Sequence, residues 1–113
     1  MAIEEIAKNE WQRYLDDLTK TISGRQTSVE IASAEIGDQP LAERVALLGL
    51  NYDARRDEIE VALEKIAHRV VKPRSIFIDR DPRGLIGIEI IGADDARTIL
   101  RLSAPLMLIC AES

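Results

Sequence analysis

The chain has 113 residues, 46% of them apolar and 31% charged, with 15 basic against 20 acidic side chains and a net charge of −5. That length suits one domain burying about two-thirds of its unfolded surface without covalent staples, and the apolar share excludes intrinsic disorder. The acidic balance argues against nucleic acid as a default partner, since phosphate binding is driven by Lys and Arg, and the single cysteine, Cys110, excludes an intrachain disulfide.

Residues 1–8 read as an extended lead-in, with neither a secretory pattern nor, anywhere in the chain, an apolar run of about twenty residues to span a bilayer. A cytoplasmic protein without membrane contact is the expectation. Asn9 offers an N-cap, with Gln12 three positions on as a loose capping box. Trp11, Tyr14, Leu15, Leu18 and Ile22 then recur on one stripe, which predicts a helix over about 10–22, ended by Ser23-Gly24. Strand character follows at 27–36, with Val29 and Ile31 inward and Glu30 outward, until Gly37-Asp38 signals a turn or bulge.

Periodicity between Leu41 and Tyr52 is shared: Leu41, Val45 and Leu48 suit a helix, whereas Ala46, Leu48, Leu50 and Tyr52 suit a strand. Gly49 and the turn-forming Asn51-Tyr52-Asp53 favour a strand over 45–52. Residues 57–64 alternate, with Ile59, Val61 and Leu63 opposite Glu58, Glu60 and Glu64, which predicts a half-buried strand. A competing helical stripe runs through Ile59, Leu63, Ile66 and Val70, and irregular chain is expected from there to Lys72-Pro73.

Two β-branched runs, 74–79 and 85–91, flank Asp81-Pro82-Arg83-Gly84, whose residue types suit a type I turn, so this stretch is predicted to be a hairpin. Ile76, Ile78, Ile86, Ile88 and Ile90 share a face that a core must cover. After Gly92-Ala93-Asp94-Asp95 a last strand is predicted over 96–102, with Thr98, Leu100 and Leu102 on one face. The closing Ala104-Pro105-Leu106-Met107-Leu108-Ile109 is an apolar run unusual for the surface of a monomer. Leu106, Met107, Leu108 and Ile109 are therefore a candidate self-association tail, or a segment folded back on its own core.

Chemistry is sparse. Asp79 to Gly84 opens like a calcium loop but carries Arg83 at its fifth position and Ile90 at its twelfth, where a bidentate Glu is needed. Asp94-Asp95 are adjacent on a turn, which explains them better than paired acid/base work in a cleft. His68 is the lone histidine, with no nucleophile assigned to it by spacing. Gly84-Leu85-Ile86-Gly87 lacks phosphate-loop and dinucleotide spacing, so no cofactor site is expected. Lys65, His68, Arg69, Lys72 and Arg74, followed by Arg80 and Arg83, form a basic stretch that reads as a solvated rim or as an anion or partner surface.

Several groups of residues together resemble a small bacterial family. They are Glu10-Trp11 with Tyr14-Leu15-Asp16, Val29-Glu30-Ile31-Ala32 with Gly37-Asp38-Gln39, and Tyr52-Asp53 with Asp57–Glu64, His68 and Pro73-Arg74. Ile88-Glu89-Ile90-Ile91, Ala93-Asp94, Leu102 and Pro105-Leu106-Met107-Leu108 complete the set. The family is catalogued as domain of unknown function 5335, and the resemblance covers nearly the whole chain. Asp95 stands where Gly is expected and Ile109 where Pro is expected. The resemblance implies a bacterial origin and strands between Val45 and Glu64, and it brings no catalytic residue with it.

The expected fold is α+β: an N-terminal helix packed on a curved antiparallel sheet of five or six strands, barrel-like, with Sm-like and SH3-like barrels as analogies. The expected function is a non-enzymatic protein-interaction or assembly module, with a protein partner or self-association into a homo-oligomer. The alternatives are an Sm-like nucleic-acid-binding ring using the basic stretch, and a small ligand-binding protein or enzyme with a pocket near His68.

Overall fold

The computed structural model describes residues 2–82 and 84–103. The elements are β1 (Ala2–Glu5), a 3₁₀ turn (Lys8–Glu10), α1 (Trp11–Ile22), β2 (Gln26–Ser33), β3 (Gly37–Asp53), β4 (Glu58–Leu63), β5 (Ala67–Val71), β6 (Ser75–Asp81), β7 (Gly84–Ile91) and β8 (Arg97–Leu102). All strand pairs are antiparallel, in the order β1-β6-β7-β8-β2-β3-β4-β5. The helix with an antiparallel sheet bears out the α+β expectation. The barrel does not follow: among the described residues β1 and β5 are unpaired edges, and eight strands replace the five or six expected.

α1 forms where the apolar stripe predicts it and buries Trp11, Leu15, Leu18 and Ile22. Its start differs. The 3₁₀ turn precedes it, and Glu10 stands at the N-cap without a side-chain capping bond, so Asn9 does not cap the helix. Gly24 adopts φ +92°, the left-handed conformation expected past the helix end.

The 17-residue β3 is what lets one sheet make two layers. Its first part pairs with β2 and its second with β4. Between them the register with β2 jumps from Val29↔Ala42 to Thr27↔Val45, and Arg44 takes φ +53°. Such an irregularity bends a strand and sharpens its twist. A second shift, between Leu47 and Gly49, turns Leu48 outward to 49% exposure, which breaks the alternation expected through Ala46 and Leu48. Pro40 is tolerated because this part of β3 has only β2 beside it, so its missing N–H costs no ladder bond on the open side.

Three expected boundaries are corrected. The lead-in is strand β1, aligned on β6 with Ile3 opposite Asp79. The chain from Ala67 to Val71, expected irregular, is edge strand β5, paired with β4 from Glu58↔Val71 to Ala62↔Ala67. The strand expected to run to Ile36 ends at Ser33, and Gly37-Asp38, expected as a turn or bulge, opens β3 after a turn at 34–36.

The core lies between the β6-β7-β8-β2 face and the layer of late β3, β4 and β5, with α1 packed against β3. Ile76, Ile78, Ile88, Ile90, Leu100 and Val29 meet Leu47, Leu50, Tyr52, Ile59, Val61 and Leu63 in one largely aliphatic cluster. At its end Trp11 donates its indole N–H to Ile6 O (2.9 Å) and meets Tyr52 edge to face at 5.2 Å.

Candidate interaction surface

An antiparallel sheet with one wet face ordinarily alternates apolar and polar along each strand. β6, β7 and β8 do not. Ile76 and Ile78 point inward, yet Phe77 between them is apolar too; Ile91 follows Ile90, and Ile99 precedes Leu100. Runs apolar at both parities suit strands covered on both sides. Among the described residues a groove stays open along this outer face.

Ile86 shows how the face is made. It was expected in the core with Ile88 and Ile90. A register shift between Asp79 and Arg80 leaves Ile86 unpaired, buries Leu85 at 7% exposure in its place and turns Ile86 outward. The result is a groove of about 730 Å³ with Ile3, Phe77, Ile86, Ile91 and Ile99 among its walls. Gly87 forms part of its floor: a Cβ there would lie 3.3 Å from Leu100 O and 3.8 Å from Asp79 Cβ.

The groove has a polar element as well. Asp79 Oδ1 is buried and has no hydrogen-bond partner among the described residues, which is costly unless a donor reaches it. Across the same face Arg97 pairs with Glu89 at 3.1 Å and Arg101 with Glu30, so the charged residues there are matched to one another.

Of the residues expected to form a basic surface, His68, Arg69 and Lys72 line one cleft, and Lys65 and Arg74 are not part of it. His68 and Val70 face inward from β5, whereas Arg69 points outward and pairs with Glu60 at 3.6 Å. Arg74 bonds Asp95, and Arg80 donates to the Tyr14 hydroxyl at 2.6 Å. Lys65 is exposed beyond β4, and Lys72 follows β5 in a left-handed conformation, its backbone N–H bonded to Asp57 O. Of the self-association tail, Leu106, Met107, Leu108 and Ile109 lie outside the described residues, as does Cys110.

His68 does line a pocket. It is half-buried, with Nε2 3.2 Å from the buried Thr98 Oγ1, in a cleft of about 400 Å³ shared with Ile31, Val70 and Asp94. Burial holds its pKa below the ordinary value of 6.5, because desolvation disfavours the imidazolium. Among the described residues no cluster of three or more His, Cys, Asp or Glu side chains could hold a metal ion.

Sequence reasoning did not find the outer groove. The signal was present in the two-sided apolar character of β6 and β7, read there as a hairpin over a core.

Comparison with known proteins adds a family and a relative. The model of a family of unknown function, DUF5335, matches residues 2–109. An uncharacterized protein of Aquifex aeolicus (strain VF5) is 32% identical over 109 residues, covering 96% of this chain and 98% of that protein. No solved structure matches the chain. No helix among the described residues is long and apolar enough to cross a membrane.

Proposed function

The chain belongs to the family of unknown function DUF5335, and, since that membership carries no activity with it, we propose from the geometry that it is a non-enzymatic assembly module that self-associates through the outer face of β6, β7 and β8. The observation that carries this reading is the apolar groove bounded by Phe77, Ile86, Ile91 and Ile99, on a face that a lone sheet would leave polar. These side chains are already half-buried, so covering each one stabilises an interface by about 1 kcal/mol or less.

Light scattering over a dilution series, at low and high salt, tests it. Association is expected to persist at high salt, because apolar burial is not screened as exposed charge pairs are. A single-copy mass at the highest attainable concentration would remove self-association. Mass that collapses with salt would move the interface to charged residues.

A second reading, a small-ligand site, is favoured by the cleft at His68 and Thr98. It predicts that His68→Ala abolishes any ligand found, and an unchanged affinity would dismiss it.

A further inference from the structure

Resting on the small-ligand reading, we infer that the cleft between edge strand β5 and strands β2 and β8 binds a small organic carboxylate, its acid group toward Lys72 and its apolar body against Ile31, Val70 and Ala96. β5 faces β8 there, with His68 Nε2 3.2 Å from Thr98 Oγ1. The turn after β7 closes one side and is tied to itself. Gly92 N–H donates to Ala96 O at 3.0 Å, Asp95 N–H to Gly92 O at 3.0 Å, and Ala96 N–H to Asp94 Oδ1 at 3.1 Å. Gly92 belongs to that wall. A Cβ there would lie 3.1 Å from Asp94 Oδ1 and 3.4 Å from Val70 Cγ1, so a larger residue would press on both.

The charges lining the cleft set the charge of its ligand. Besides His68 they are Arg69, Lys72 and Asp94. Arg69 is committed to Glu60 at 3.6 Å, and Asp94 uses one oxygen to accept the Ala96 N–H. Lys72 has no ion pair among the described residues. His68 is predominantly neutral at neutral pH, because burial disfavours the imidazolium. One positive charge is therefore uncommitted, and one carboxylate matches it. A phosphate group, at about −1.5 to −2, would bring surplus negative charge beside Asp94.

The remaining walls set the body of the ligand. A cleft of about 400 Å³ lies toward the small end of ligand sites, which span about 300–1,000 Å³. Ile31, Val70 and Ala96 are apolar, and a hydroxyl set against them would go unpaired at a cost. His68 and Thr98, polar residues among the walls, already satisfy one another. A short branched or aromatic body suits this lining, and a sugar does not.

The test adds five probes to the full chain at neutral pH and low salt: isovalerate, phenylacetate, their uncharged amides isovaleramide and phenylacetamide, and inorganic phosphate. His68 is the chain's single histidine, so its imidazole NMR signals report this cleft. A carboxylate should shift them saturably and bind about tenfold or more tighter than its own amide and than phosphate. Lys72→Gln should weaken the carboxylate by about tenfold, the loss of one partly solvated charge-assisted bond, and Lys72→Arg should restore most of it. Lys72 is exposed, so both variants should keep the thermal midpoint of the unchanged chain. Amides that bind as tightly as the acids, or a carboxylate affinity untouched by Lys72→Gln, would overturn the carboxylate assignment and leave the small-ligand reading standing. Phosphate binding more tightly than both acids would overturn the apolar body. Imidazole signals that no probe moves up to its solubility limit would overturn the inference and the small-ligand reading together.

Discussion

Gly49 and Thr19 offer the sharpest check on how α1 is seated. A Cβ added at Gly49 would lie 3.0 Å from Thr19 Cγ2 and 3.6 Å from Thr19 Oγ1, so the glycine is what lets the helix approach β3. The same threonine ties the two elements: its hydroxyl accepts the Leu50 N–H at 2.9 Å, with Leu15 O at 2.8 Å and Leu50 O at 2.9 Å available to its proton. Gly49→Ala should overpack this contact at a cost of about 1–3 kcal/mol, offset by about 0.4–1 kcal/mol from a stiffer unfolded chain. The net expectation is a loss of about 1.5 kcal/mol. Thr19→Ser removes the obstructing methyl, keeps the hydroxyl and should cost about 1 kcal/mol. In the double variant the new methyl enters the vacated space, so the total should fall about 1.5 kcal/mol below the sum of the single effects. Urea unfolding followed by the fluorescence of Trp11, the chain's single tryptophan and 1% exposed, measures all three. Additive losses within about 0.5 kcal/mol would refute the steric account.

Three further outcomes are expected. His68 has a folded-state pKa below its ordinary value, so folding favours the neutral ring. The stabilisation should be complete above about pH 6.5 and be lost as pH falls from there through the folded-state pKa. An imidazole NMR titration should have its midpoint below the unfolded value, and His68→Gln should flatten that part of the pH–stability profile. Tyr52→Phe removes the hydroxyl that donates to Asp57 Oδ1 at 2.8 Å and should cost about 1 kcal/mol by urea unfolding. The Tyr52 hydroxyl itself, its pKa raised by burial and by Asp57, should resist alkaline ionisation in an absorbance titration. Arg25→Ala frees the Leu85 and Ser103 carbonyls at the sheet end, and exchange of the Ser103 amide should accelerate at least several-fold.

The sequence by itself determined the elements whose burial repeats with their own period. The stripe from Trp11 to Ile22, the alternation of Ile59, Val61 and Leu63, and the trio Thr98, Leu100 and Leu102 all bury the residues they announce. Tertiary structure decided the elements that exist because another strand pairs with them. β1 has Ile3 70% exposed, and β5 buries only Val70, so neither carries a periodic signal; their backbones are satisfied by β6 and β4. It also decided every register shift. A one-residue bulge leaves the local alphabet of apolar residues unchanged while exchanging inside for outside, which is how Leu85 took the core place expected of Ile86, and how Leu48 and Ile86 reached the surface. The candidate groove depends on such a shift and on strands that are apolar on both faces. The two-sided apolar runs were legible in the sequence, but which residues face outward was fixed by long-range pairing.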